Sequence, residues 1–190
     1  MKELRRPSTL FLPKPLALIS TSTPDGGDNL MTAAWVNVAC MEPPMLAVAV
    51  RQSRYTFECI GQSREFVVNL PGEDLLAAVE LCGNVSGREG DKFARAGLKR
   101  EPASRVSAPL VAECPVNIEC ALRERLELGS HTLFVGEVLA VHVDDSITDE
   151  AGHLEVERMR PFVLNDREYW GMGACLGRFG SGAPPFKIIP

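Results

Sequence analysis

The chain has 190 residues, 45% of them hydrophobic and 24% charged, with a formal net charge of −5. That composition suits a globular protein that buries a core without metals or disulfides, and it argues against disorder. The basic residues are scattered, which argues against a nucleic-acid partner, and no segment approaches the ~20 apolar residues of a membrane span.

The amino end, Met1-Lys-Glu-Leu-Arg-Arg, lacks the apolar stretch of a secretory signal, so a soluble cytoplasmic protein is expected. The cysteines Cys40, Cys59, Cys82, Cys114, Cys120 and Cys175 form no C-x-x-C pair, and His131, His142 and His153 have no partner at zinc spacing. Buried or idle thiols are the simpler reading.

Leu16 to Ser22, rich in apolar and β-branched residues, predicts a strand. Pro24-Asp25-Gly26-Gly27-Asp28 is turn chemistry, because glycine reaches positive φ and proline fixes its own. Asn29 to Cys40 should then return antiparallel as the second arm of a hairpin. Its middle, Met31-Thr32-Ala33-Ala34-Trp35, sets small residues beside one large ring. That suits either a crowded core layer or a flat wall for a planar ligand.

The six apolar residues Met45 to Val50 have the length of a buried strand, opened by Pro43-Pro44 and closed by Arg51-Gln52-Ser53-Arg54. Ser53 stands as an N-cap, with Phe57 and Ile60 one turn apart and Gly61 as the stop of a short helix. A strand thus runs into a helix start bearing arginines, a serine and a threonine. Free N–H groups, a positive dipole end and guanidinium donors together suit a phosphate group.

Phe66 to Leu70 predicts another strand, and the roughly fifteen residues before it leave room for a helical crossover and a parallel pairing. Asp74 to Cys82 sets Leu75, Leu76, Val79 and Cys82 at helical spacing, with Asp74 favouring the start. Cys82 to Phe93 is a glycine-rich loop closing on a short basic helix, where Ser86 and Lys92 offer hydrogen bonds to an anion. Alone, that signal is weak.

Val116, Ile118, Cys120, Leu122, Leu126 and Leu128 alternate with polar residues, broken only by Glu124 on the apolar face. Leu133 to Val143 repeats the pattern after the turn Gly129-Ser130-His131. Strands of ~40 Å at about 3.3 Å per residue must coil strongly, as in barrels. Asp144, Asp145, Asp149 and Glu150 read as a solvated acidic turn. Tyr169 to Gly177 mimics a dinucleotide fingerprint, but Leu176 holds the third glycine position and no βαβ unit can follow. Its aromatics and glycines suit a segment folding over a ligand or a neighbouring subunit, and Ser181 to Pro185 reads as a loose end.

The order M-T-A-A-W, E-P-P-M-L-A-V-A-V, S-R-Y-T, E-F-V-V-N-L-P, C-G-N-V-S-G-R-E-G-D-K-F, G-S-H-T-L-F-V-G-E-V and R-E-Y-W resembles the flavin reductase-like family, particularly its flavoredoxin branch. The match runs from roughly Pro13 to Gly177. The resemblance implies a mainly β fold with short helices, an FMN-binding split β-barrel that forms a homodimer. It implies one domain over residues 1–190, with a core at 13–177 and a tail at 178–190.

By the same resemblance, Met31, Thr32, Ala33, Ala34 and Trp35 line the isoalloxazine, and Ser53, Arg54, Tyr55 and Thr56 hold the phosphate. Cys82, Gly83, Ser86, Gly87 and Lys92 close the other side, and Tyr169 joins the cofactor set. His131 falls where many relatives have Gly-Asp-His facing the nicotinamide, here with Ser130 in place of the acid. It reads either as a nicotinamide-positioning group or as a turn residue. The implied activity is flavin reduction by NADH or NADPH, with hydride transfer to flavin N5. The alternative is an electron carrier that keeps FMN and serves a redox partner protein, and a monooxygenase is a further implied partner.

Overall fold

The computed structural model describes residues 1–177, so the loose end expected at Ser181 to Pro185 lies outside the described residues. In chain order the elements are β1 (Lys14–Pro15), β2 (Ala17–Ser22), β3 (Asp28–Ala33), β4 (Val36–Cys40), β5 (Met45–Arg51), α1 (Tyr55–Ser63), β6 (Glu65–Leu70), α2 (Leu76–Asn84) and α3 (Lys92–Ala96). They continue with β7 (Arg100–Glu101), β8 (Leu110–Val111), β9 (Val116–Glu127), β10 (His131–Val143), α4 (Val156–Met159), β11 (Phe162–Asn165) and β12 (Glu168–Gly171). None of the helices among the described residues is long and apolar enough to cross a membrane.

Seven strands form one antiparallel sheet in the order β3-β2-β6-β9-β10-β5-β4. The parallel pairing allowed for Met45–Val50 and Phe66–Leu70 does not form, because the β9–β10 hairpin lies between β5 and β6. Asn29 to Cys40 is not one hairpin arm either. It breaks at Ala34-Trp35, and its halves pair with β2 and β5 at opposite edges of the sheet. The two edges are therefore consecutive in the chain, and the sheet curls until they meet. The Trp35 carbonyl accepts from the Ala49 N–H at 2.9 Å, stitching the corner to β5. The result is the expected split β-barrel.

Ile19, Met31, Val48, Val50, Ile60, Phe66 and Phe134 fill the barrel. A second core lies outside β2 and β3, where Leu18 and Leu30 pack on Val79 and Cys82 of α2, Phe93 of α3 and Phe162. Strand β2 is thus covered on both faces, which is why Ala17 to Thr21 are all buried without alternation.

Strands β9 and β10 have the expected length, but the buried face is interrupted. Val135 pairs with Glu124 and Gly136 with Leu122, so Arg123 is an extra residue that flips side-chain parity. Leu126 and Leu128, expected inside, are 54% and 58% exposed. Leu126 pairs with Leu133, which pairs with Ala49, while Val135 pairs with Ala47, so these residues share the outer face. Arg125 turns the other way and lies 4.7 Å over the Phe57 ring.

Glu119, expected on a polar face, is fully buried. It accepts from the N–H groups of Ser104, Arg105 and Val106 at 2.8, 2.6 and 3.0 Å and sits 2.5 Å from His142 Nε2. Burial raises its pKa, but these partners, His142 foremost, outweigh it and hold the carboxyl at about 2. The carboxylate therefore anchors the 104–106 loop to the sheet.

At Gly136 a Cβ would lie 2.6 Å from Phe66 Cζ and 2.9 Å from Cys120 Cβ. Gly136→Ala should therefore cost ~1–3 kcal/mol through overpacking. Urea unfolding should show a lower midpoint with an unchanged slope, and an unshifted midpoint would contradict this packing.

Candidate functional site

The chain leaves β5 and enters α1 through Arg54, which is extended at φ −80° and ψ 140°. Arg54 rather than Ser53 is the N-cap, and no side chain caps the helix. The Phe57 N–H donates to the Arg54 carbonyl at 3.0 Å, and the N–H groups of Tyr55 and Thr56, which have no acceptor within a helix, remain available. The helix also runs past Gly61 and stops where Arg64 takes φ 62° and its N–H bonds the Ile60 carbonyl. A single glycine weakens a helix, but the left-handed turn at Arg64 ends it.

Opposite this helix start lies the loop after α2. Ser86 accepts from the Arg88 N–H at 3.2 Å, and Asp91 caps α3 through the Ala94 N–H at 3.2 Å, which sets Lys92 at the first position of that helix. Met31, Ser53, Arg54, Tyr55, Thr56, Cys82, Ser86, Gly87 and Lys92 together line one pocket of about 120 Å³. Residues from three separate stretches of sequence thus converge there. Pockets that enclose a drug-sized ligand measure about 300–1,000 Å³, so this one has room for a small polar group only.

Lys92 decides the character of the pocket. It is 4% exposed, its Nζ donates to the carbonyls of Cys82 and Val85 at 3.0 Å each, and among the described residues it pairs with no carboxylate. Burial lowers its pKa to about 8, and Arg54 pushes in the same direction. The Cys82 thiol is raised by burial and so supplies no counter-charge at neutral pH. Two cations and the Tyr55 and Thr56 N–H groups face a small cleft whose lining contains no carboxylate. An anionic group fits that arrangement.

Sequence reasoning missed Asn29 and Val85, which complete the lining. Asn29 is 3% exposed, and its Nδ2 donates to Thr56 Oγ1 at 2.8 Å. A polar amide inside a predicted strand was the available signal for it; Val85 carried none.

The remaining predicted residues lie elsewhere. Thr32 donates to the Val79 carbonyl at 2.5 Å, Gly83 of α2 lies beside Thr32, and Ala33 is in the barrel core. Ala34 and Trp35 line a separate apolar groove of about 410 Å³ with Phe11, Ala47, Ala49 and Leu133. The stretch from Met31 to Trp35 thus runs from the cationic pocket to the apolar groove. Tyr169 is held away from both, against Glu80 through its hydroxyl and edge-on to Phe162 at 6.0 Å.

His131 stacks on Trp35 with centroids 4.4 Å apart and planes at 26°. Its Nδ1 lies 2.9 Å from Ser130 Oγ. Burial and then the Arg51 charge lower its pKa, so the imidazole is neutral at pH 7.

A model of the flavin reductase-like domain matches residues 9–172. The chain belongs to the flavin reductase-like family. Within it the similarity runs to the flavoredoxin branch. Flavoredoxin of Desulfovibrio vulgaris (Miyazaki F) superposes with a TM-score of 0.89 at 34% identity, covering 95% of this chain and 98% of that one. Flavoredoxin of Methanosarcina acetivorans superposes with a TM-score of 0.88 at 30% identity, covering 95% and 97%. An uncharacterised protein of Archaeoglobus fulgidus is 40% identical over 121 residues, 64% of this chain and 68% of the relative. Membership makes the chain a flavin-related oxidoreductase.

The depressed Lys92 pKa has a measurable consequence. Between pH about 8 and 10.5 the unfolded chain binds the Lys92 proton more strongly than the folded one, so ligand-free stability rises across that window, by up to about 3 kcal/mol. Urea titrations of wild type and Lys92→Met at pH 7 and pH 10 should show this rise in the wild type and its loss in the variant. Parallel pH profiles would contradict a buried, uncompensated ammonium.

Proposed function

We propose that the chain is an FMN-dependent oxidoreductase in which NADH or NADPH reduces the flavin by hydride transfer. The observation that carries this reading is the buried Lys92 ammonium, without a carboxylate, facing Arg54 and the uncapped start of α1. Ser53, Arg54, Tyr55 and Thr56 hold the phosphate from one side, and Ser86, Gly87 and Lys92 hold it from the other. FMN, when bound, supplies the redox chemistry.

The chain's own residues position and shield it. The backbone from Met31 to Trp35 runs from the phosphate pocket to the apolar groove, which supports its place along the ring system. A second copy of the chain covers the outer sheet face at Ala47, Ala49, Leu126, Leu133 and Val135, giving a homodimer. Sedimentation of the flavin-loaded protein at twice 20.7 kDa checks this, and a monomer retaining stoichiometric FMN would refute it.

The phosphate assignment is tested by ligand comparison. Losing one charge-assisted contact costs roughly 1.5–3 kcal/mol, or ~10- to 150-fold in affinity. Arg54→Ala should weaken FMN by that factor and riboflavin, which lacks the phosphate, far less. Equal weakening of both would count against it.

His131 is assigned to holding the nicotinamide. Trp35 supports one face of its ring and Ser130 engages Nδ1, so Nε2 is left to hydrogen-bond a carboxamide without transferring a proton. His131→Ala should slow anaerobic FMN reduction by NAD(P)H about tenfold, comparable to one hydrogen bond of ~1.4 kcal/mol, and leave FMN affinity nearly unchanged. Normal reduction in the variant would return His131 to a turn residue.

The similarity to flavoredoxins favours a second reading, an electron carrier with tightly held FMN and a redox partner protein, a monooxygenase among the candidates. A wild type that neither nicotinamide reduces, yet that accepts electrons from reduced ferredoxin, would decide for the carrier.

A further inference from the structure

The loop that faces α1 across the cationic pocket holds its own shape. Residues Gly87–Glu89 make one 3₁₀ turn, in which Ser86 accepts from the Arg88 N–H and the Glu89 N–H bonds the Ser86 carbonyl at 3.1 Å. Both ends of the loop are fixed. The Val85 N–H bonds the Leu81 carbonyl at 3.0 Å. At the other end Asp91 caps α3 and pairs at 2.7 Å with Arg100, which also holds Asp28 at 2.8 Å. Just before Asp91, Gly90 takes φ 121° and ψ −177°, a backbone conformation that glycine alone adopts readily. A Cβ there would meet no atom within 4 Å, so the glycine is needed for its backbone and not for space.

The middle of the loop is fastened to α1 by one side chain. Among the described residues, the only hydrogen bond from residues 86–90 to another element runs from Arg88 to Glu58 Oε2, at 2.7 Å. The same guanidinium lies 4.7 Å over the Tyr55 ring. A Cβ on Gly87 would stand 3.0 Å from Tyr55 Cδ1, so the loop backbone rests against that ring as well. Tyr55, Ser86 and Gly87 line the pocket, whereas Arg88 and Glu58 do not. Their side chains are 52% and 43% exposed. The pair thus stands outside the cleft and ties its two walls together.

We infer that Arg88 is a positioning residue that bolts the 86–90 loop to α1 and sets how long a phosphate ester stays between them. The inference rests on the FMN reading above, in which the ester is the ribityl phosphate. An exposed ion pair is weak, and a cation over an exposed ring adds a comparable amount. The fastening therefore slows opening without preventing it. When the Arg88–Glu58 pair parts, the loop moves as a unit and Gly90 absorbs the turn. The lifetime of bound FMN separates a flavin that is kept from one that is handed on, and this pair tunes it.

The experiment follows the fluorescence of free flavin after dilution of loaded wild type, Arg88→Ala, Glu58→Gln and the double variant. Each protein is loaded with FMN or with riboflavin. Arg88→Ala should release FMN about tenfold faster than wild type, and the isosteric Glu58→Gln, which keeps the Tyr55 contact, about threefold faster. The double variant should be no faster than Arg88→Ala, because both substitutions undo the same fastening. Riboflavin has no phosphate to hold between the walls. It should leave all four proteins at rates within about twofold, which also reports that the variants are folded.

Slower FMN release from Glu58→Gln would mean that the freed guanidinium reaches the phosphate itself, and would overturn the proposal. Unchanged FMN release from Arg88→Ala, or equal acceleration for both flavins, would overturn it while leaving the FMN reading intact. A wild type that binds no FMN would overturn both.

Discussion

The structure depends on one topological constraint: β3 and β4 are consecutive in the chain yet lie at opposite edges of the same seven-stranded sheet. Only Ala34 and Trp35 separate them, so the sheet cannot remain open. Small residues at 33 and 34 let the backbone turn, and the Trp35 carbonyl is satisfied across the corner by Ala49. The curl turns Met31 toward the cationic pocket and Trp35 toward the outer groove. Fold and site share that turn.

The pocket itself is a place where folding and binding pull apart. A lysine whose pKa is pushed down to about 8 is held in its less comfortable state by the fold around it. The carbonyls of Cys82 and Val85 offset part of that discomfort by accepting from Nζ. They are dipoles rather than charges, so the remainder is available to whatever anion enters. Glu119 shows the opposite solution in the same molecule. It is as deeply buried, but it is given enough donors by the 104–106 loop and His142 to stay ionised. The lysine is left with dipoles alone, whereas the glutamate has a full set of donors.

What could be read from the sequence follows the range of the interactions. Ser53 to Thr56 are adjacent in the chain, so a polar cluster after an apolar run was enough to locate the helix start. Which residue caps it was not legible, since the N-cap is set by the extended backbone at Arg54 and not by a capping side chain. The alternation from Val116 to Leu122 was visible, and so was the break at Glu124. That break becomes a bulge only through the pairing of Val135 and Gly136, which lies on another strand. Asn29 shows locally only as a polar amide in a strand, and its place is set by Thr56 and Gly87, far along the chain. Tyr169 looked like part of the cofactor set from its neighbours in sequence, whereas a carboxylate on α2 takes its hydroxyl.

The bulge at Arg123 is one residue of slack in the hairpin. Any side chain at position 123 leaves the pairing unchanged, so Leu126 stays on the outer face and Arg125 stays over Phe57. Removing the residue altogether would set Leu122 directly before Glu124, opposite Gly136 and Val135 as they already are, and restore strict alternation with both faces intact. In a regular strand the loss of one residue exchanges the faces. Here the spare residue absorbs it.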